Sequence, residues 1–276
     1  MTTATDSTRT IVTGSKSALP ARRAGSSRNR EQLISWAFLA PFLLAFVLFL
    51  AWPIVHGIIL SFTDQSLTGA GGSFIGFANY AEALADPKMW QSMGNTVWFT
   101  LLSTVPLVVI ALLMAALVDR GLPGQWLWRL SFFMPYLLAS TVISQIWVWI
   151  FNPQIGAANN ILEFFGLEPL AWLQNPDTNM LSIVIATIWW TVGFNFLLYL
   201  AAMQNIPPQQ YEAASLDGAG PWRQFWSITL PQLGPATVLI LILQILASLK
   251  LFDQAYQMLG GVASDTTRSI CLLYTS

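Results

Sequence analysis

Twenty-six consecutive residues, Ile206-Pro-Pro-Gln-Gln-Tyr-Glu-Ala-Ala-Ser-Leu-Asp-Gly-Ala-Gly-Pro-Trp-Arg-Gln-Phe-Trp-Ser-Ile-Thr-Leu-Pro231, gather polar, glycine and proline residues in an otherwise apolar chain. Pro207 and Pro208 suit a helix start, and Gln209 to Leu216 are good helix formers. Asp217-Gly218-Ala219-Gly220 stops that helix, because glycine accepts the left-handed conformation of a sharp turn. Pro221 opens a second helix in which Trp222, Phe225, Trp226 and Thr229 recur at i, i+3, i+4 and i+7, and Pro231 and Pro235 are expected to end it. The product is an elbow of two helices with one apolar face and a polar tip. Pattern alone leaves two readings open: an amphipathic helix lying on a membrane surface, or a device that docks a partner protein.

Other chemistries find little support. One cysteine, Cys271, makes no internal disulfide, and one histidine, His56, makes no histidine metal cluster. The three lysines, Lys16, Lys88 and Lys250, lie in no G-x-x-x-x-G-K-[ST] phosphate loop. A membrane-embedded metal-dependent transferase is the alternative from another class. Its one hint is Asp217-Gly218, and the nearest acids in sequence are Glu212 and Asp253, the latter expected across the membrane.

The elements that position the elbow follow from composition. With 55% hydrophobic and 9% charged residues and a mean hydropathy of +0.57, the solvent for most of the chain is lipid. Five apolar runs approach the roughly 20 residues that cross a 30 Å hydrocarbon layer: Leu33 to Leu60, Thr96 to Val118, Leu130 to Ile150, Met180 to Met203, and Ala236 to Phe252. Pro41, Pro106 and Pro135 within them predict kinks rather than breaks. The first run exceeds a signal-peptide core and reads as an uncleaved anchor.

Six of the 12 Lys and Arg residues precede position 33: Arg9, Lys16, Arg22, Arg23, Arg28 and Arg30. That arm is rich in Ser, Thr, Ala and Gly and has no aromatic residue, so it reads as a disordered solvated tail over 1–32 rather than a nucleic-acid arm. Placing it in the cytoplasm puts Arg120, Arg129 and Arg223 inside as well, and Lys88, Lys250 and Arg268 outside, as the positive-inside rule asks. The elbow, within the loop 204–235, is then cytoplasmic. Trp36, Trp90, Trp126, Trp128, Trp147 and Trp149 mark helix ends as an aromatic belt does. In the first outer loop, Gly69 to Gly72 reads as a hinge, and Phe77 to Trp90 as a short helix closed by Asp86-Pro87.

Glu212-Ala213-Ala214, three residues, Gly218, nine residues, Ile228, one residue and Leu230-Pro231 resemble the EAA signature of permease subunits in binding-protein-dependent ABC importers. Phe74-Ile-Gly-Phe-Ala-Asn-Tyr80, Phe151-Asn-Pro-Gln-Ile-Gly156 with Asn159, and Phe252-Asp-Gln-Ala-Tyr256 with Gly260-Gly261 are similar to the carbohydrate-uptake branch, and to the first of its two paired permeases. The resemblance implies an all-α integral membrane bundle of the type I importer kind. It implies that Glu212, Ala213, Ala214, Gly218, Ile228, Leu230 and Pro231 couple the pore to a separate ATPase, with no cofactor on this chain and ATP and Mg on the partner. The implied partners are a second permease, two copies of the ATP-binding subunit, an extracytoplasmic solute-binding protein and membrane lipid, and not nucleic acid. The implied location is the bacterial inner membrane, multi-pass, with a cytoplasmic N-terminus.

Polar side chains inside a span are costly unless they face the bundle interior. In resembling sugar permeases the helices flanking the coupling loop bind solute, which makes Trp190, Thr191, Phe194 and Asn195 on the fourth run and Gln244, Ser248 and Lys250 on the fifth the expected path. The resemblance also calls for a sixth helix after the Gly-Gly loop. Only Ile270 to Tyr274 is apolar there, so 253–276 reads as an outer loop and a non-native end, 33–252 as the transmembrane domain, and five helices as a shortened six.

Overall fold

A computed structural model describes residues 25–65, 72–121, 123–250, 253–260 and 267. Most of the basic tail, the glycines at 69–71 and the expected non-native end at 268–276 lie outside the described residues. The chain divides into two compact units, Met1–Tyr80 and Ala81–Ser276.

In the first unit, α1 (Gly25–Phe46) begins eight residues before the apolar run, so Arg28 and Arg30 belong to the helix rather than to a disordered tail. One wide π turn, Val47–Ala51, joins it to α2 (Trp52–Leu60). Pro53 explains that turn: a proline ring pushes away the carbonyl four residues back, here that of Phe49, and an extra residue in the turn makes room. Residues 34–60 are long and apolar enough to cross a membrane.

After α2 the chain forms a single antiparallel bridge between Thr63 and Phe74. The Asp64 carboxylate accepts from the backbone N–H of Gly72 and Ser73, both at 2.8 Å, and from the Ser73 hydroxyl at 2.8 Å. These bonds hold the carboxyl below its ordinary value, since they stabilise the charged form. Asn79 donates to the carbonyls of Ser61 and Thr63, and Phe62 packs against Phe74, Phe77 and Tyr80. The motif Phe74–Tyr80 is thus a staple on its own loop.

Helix α3 (Ala78–Ala85) begins in the first unit and ends in the second at Asp86, whose side chain accepts from Lys88 N at 2.9 Å while Pro87 takes the first turn of α4 (Pro87–Asp119). Helix α3 is therefore shorter than the pattern to Trp90, and α4 starts nine residues before the apolar run. Then come α5 (Gln125–Phe133), a 3₁₀ turn Met134–Leu137, α6 (Ser140–Ile150), α7 (Ala157–Phe164) and α8 (Pro176–Gln204). The elbow is α9 (Pro208–Leu216), α10 (Pro221–Gln224), a π turn Phe225–Thr229 and α11 (Leu230–Gln232), followed by α12 (Gly234–Leu249) and α13 (Asp253–Met258).

Helices α4 and α8, with 33 and 29 residues, are about 50 and 44 Å long, enough to cross and project beyond the hydrocarbon. They form the central pair. Ala111 and Ala115 of α4 are fully buried against Phe196, Tyr199, Leu200 and Met203 of α8. Small residues let two helices approach where lipid supplies little hydrophobic drive between them.

Two runs differ from straight spans. Leu130 to Ile150 is a bent pair, 125–137 and 140–150, at 96°. Leu138 and Ala139 are extended, with ψ 145° and 146°, so Pro135 belongs to a break rather than a kink. The last run pairs 221–232 with 234–249 at 61°. The second arm passes through Pro231, whose ring the preceding π turn accommodates as at Pro53, and ends one residue later at Gln232, between the two prolines expected to close it. Pro235 sits in the first turn of α12. Trp147 leaves the aromatic belt: it packs inward on Phe151 at 5.0 Å and on Trp189 at 5.8 Å.

The loop between α6 and α8 is organised by Asn159, which is buried. Its Nδ2 donates to the carbonyls of Pro153 and Leu170 at 3.1 and 3.0 Å, and its Oδ1 accepts from Leu170 N and Trp172 Nε1 at 3.1 and 2.8 Å. Gly156 is required where the loop doubles back, since a Cβ there would lie 2.3 Å from the Ile150 carbonyl oxygen.

Candidate functional site

Two places carry functional side chains: the elbow and a polar cavity in the bundle. In the elbow, Asp217 closes α9 and Gly218 follows with φ +77°. The Ala219 N–H reaches the Ala214 carbonyl at 2.9 Å and the Gly218 N–H reaches that of Ser215 at 3.1 Å. This pair of bonds caps carbonyls that would otherwise be orphaned, and it needs a left-handed residue at 218. Glu212 and Ala213 are exposed and Ala214 is half-buried beside the turn; Ile228 in the π turn and Leu230 in α11 are half-buried, and Pro231 is exposed. The structure thus presents Glu212 on a short, firmly capped helix.

The cavity, about 270 Å³, lies between α4, α8, α12 and α13 beside the break before α6. Five expected residues line it together: Trp190, Thr191, Gln244, Ser248 and Lys250. Asn195 stands behind this wall, buried, with Nδ2 3.4 Å from Gln244 Oε1. Phe194 is not in the lining; it stacks on Tyr136 with centroids 4.9 Å apart. Ser248 donates to the Ile245 carbonyl on its own helix and also lies 2.9 Å from the Thr100 hydroxyl of α4.

Sequence reasoning missed Tyr136, Thr187 and Gln254, which also line it. Thr187 had a signal, because Thr187, Thr191 and Asn195 form a polar stripe at i, i+4 and i+8 on α8. Gln254 had none beyond its place in the Phe252–Tyr256 motif. Its Oε1 accepts from Thr187 Oγ1 at 2.9 Å, while its Nε2 is buried with no hydrogen-bond partner. The cavity therefore offers aromatic faces, hydroxyls, amides and one charge of each sign, Lys250 and Asp253. Among the described residues, no three His, Cys, Asp or Glu side chains are grouped to hold a metal ion.

One contact fixes the cavity wall. A Cβ on Gly193 would lie 1.9 Å from the Phe132 carbonyl oxygen, so α8 touches the backbone of α5 there. One turn earlier on α8, Trp190 donates its indole N–H to the Leu138 carbonyl at 3.3 Å. That bond satisfies a group freed by the break, which lipid could not do.

Residues 72–270 match the family model described as binding-protein-dependent transport system inner membrane component. The chain belongs to that family. This permease is 35% identical over 237 residues to the probable ABC transporter permease protein YurN of Bacillus subtilis, covering 84% of this chain and 81% of that protein. It is also 35% identical over 243 residues to the sulfoquinovosyl glycerol transport system permease protein SmoG of Agrobacterium fabrum, covering 88% and 79%. A crystal structure of a bacterial ABC transporter involved in the import of the acidic polysaccharide alginate superposes with a TM-score of 0.76 at 23% identity, over 89% of this chain and 82% of that one. The permease thus shares the type I importer fold, is a multi-pass inner-membrane component, and serves transport rather than catalysis.

Proposed function

We propose that this permease is one of two pore-forming subunits of an ATP-driven importer, of the first-permease type, that moves a saccharide or related polar solute by alternating access. The observation that carries the coupling part is the elbow: Glu212 stands exposed on α9, and the turn at Gly218 fixes α9 against the arm that leads into α12. Glu212, Ala213, Ala214, Gly218, Ile228, Leu230 and Pro231 form the docking element for an ATP-binding subunit. Two copies of that subunit bind ATP and Mg, and closing them rocks this chain against a second permease. A solute-binding protein delivers cargo from outside, and the N-terminus lies in the cytoplasm.

The cavity is the solute path. Trp190 and Tyr136 suit the apolar C–H face of a sugar ring. Thr191, Gln244, Ser248, Lys250 and the free Gln254 N–H suit its hydroxyls, while Asn195 and Phe194 hold the wall from behind. The permeases for sulfoquinovosyl glycerol and, in Thermococcus litoralis, for trehalose and maltose support a carbohydrate cargo. Glu212→Lys tests the assignment: it should abolish uptake while leaving membrane insertion intact, and unchanged uptake would count against docking at α9.

A further inference from the structure

Helix α9 has no buried residue and, among the described residues, lies along no other element over an extended face. Side-chain bridges join it to the second arm of the elbow. Gln232 Nε2 donates to Gln210 Oε1, and Gln224 Nε2 donates to the Ser215 hydroxyl at 2.8 Å; both bridges are exposed. The third points inward: the Tyr211 and Thr229 hydroxyls lie 2.9 Å apart, with Thr229 only 6% exposed. Beside this pair is a cavity of about 210 Å³, walled by Asp119 and Arg120 at the end of α4 and by Met203 and Phe225. With open space there, close-packed apolar contact does not duplicate the bond.

We propose that Tyr211 is a positioning residue whose hydroxyl bond to Thr229 latches α9 to the arm leading into α12, so that force on the Glu212 face moves both arms as one body. Without the latch, α9 is joined to the second arm only by the two exposed bridges and the capped turn at Gly218, so its inward side opens more readily. The inference rests on the docking reading given above. Losing one neutral hydrogen bond shifts a local opening equilibrium by about 2- to 10-fold.

The test uses the full chain assembled with its ATPase and second permease in nanodiscs, with MgATP as the probe and amide hydrogen exchange as the readout. Tyr211→Phe should raise exchange over 209–216 by about 2- to 10-fold without nucleotide. It should also shrink the MgATP-induced change over 225–237 while ATP hydrolysis continues. Thr229→Ser, which keeps the hydroxyl, should behave as wild type. Thr229→Val should match Tyr211→Phe, and the double variant should be no worse than either single one. A silent Tyr211→Phe, or additive losses in the double variant, overturns the latch. Glu212→Lys separates the two ideas. If it leaves ATPase binding intact, the docking reading fails and the latch with it; if it releases the ATPase while Tyr211→Phe is silent, the latch alone fails.

Discussion

Gly193→Ala asks whether α8 must touch the backbone of the broken helix. The added Cβ would sit 1.9 Å from the Phe132 carbonyl oxygen, 2.7 Å from its carbon and 2.9 Å from Phe133 Cα. Carbon–oxygen contacts settle near about 3.3–3.6 Å, so the two backbones must part by about 1.5 Å. All three neighbours are main-chain atoms, so no rotamer change relieves the clash. Overpacking typically costs about 1–3 kcal/mol, and two helical backbones place this site at about 3 kcal/mol. The displacement also reaches the cavity, because Trp190 and Phe194 on the same helix bond to Leu138 and stack on Tyr136. The assay is thermal melting in detergent followed by tryptophan fluorescence, together with uptake in cells. Gly193→Ala should melt at clearly lower temperature and import poorly. Gly234→Ala, where a Cβ meets nothing within 4 Å, should melt with or slightly above wild type. Equal melting of Gly193→Ala and wild type would refute the close approach.

Three further outcomes follow from named contacts. Asn159→Leu strips the partners from Leu170 N, Trp172 Nε1 and two carbonyls, and should destabilise the second unit by about 2–4 kcal/mol in the same melting assay; a loss below about 0.5 kcal/mol would contradict the role given to it. Gln244→Leu removes the acceptor of Asn195 and a polar part of the cavity wall, so uptake should fall while the assembled transporter still hydrolyses ATP, and undiminished uptake would move the solute path elsewhere. Asp64 has a carboxyl held below its ordinary value of 3.8, so its support for the loop closed by the Thr63–Phe74 bridge is complete above that value and is lost as pH falls through the lower folded-state value. Protection of the Gly72 and Ser73 amides, taken relative to the intrinsic exchange rate at each pH, should therefore hold at neutral pH and fall only in strong acid, a dependence that Asp64→Asn should remove.

The parts legible in the sequence were those set by local chemistry. Apolar runs of spanning length located α1 with α2, α4, α8 and α12, because lipid demands length and composition in one segment. Pro208, Gly218 and Pro221 placed the two arms of the elbow within a residue, because proline and left-handed glycine act on the backbone where they stand. Partners distant in sequence were harder to see. The 96° break after Pro135 depends on Trp190, 52 residues away from Leu138, and on the bare backbone of Gly193. The π turn that lets the second arm run through Pro231 to Gln232 leaves no compositional mark. Phe194 was expected on the solute path because its helix flanks the elbow, as in the resembling permeases, yet Tyr136 from the broken helix stacks on it. Gln254 joins the site only because α13 folds back against α6 and α8.

The central claim, that an ATPase drives this permease through α9, is tested most directly by a photo-crosslinking residue at Glu212 in the assembled transporter. The account predicts an adduct with the ATP-binding subunit whose yield changes when MgATP is added. An adduct with lipid alone, or none, in a transporter that still imports its solute, would contradict it.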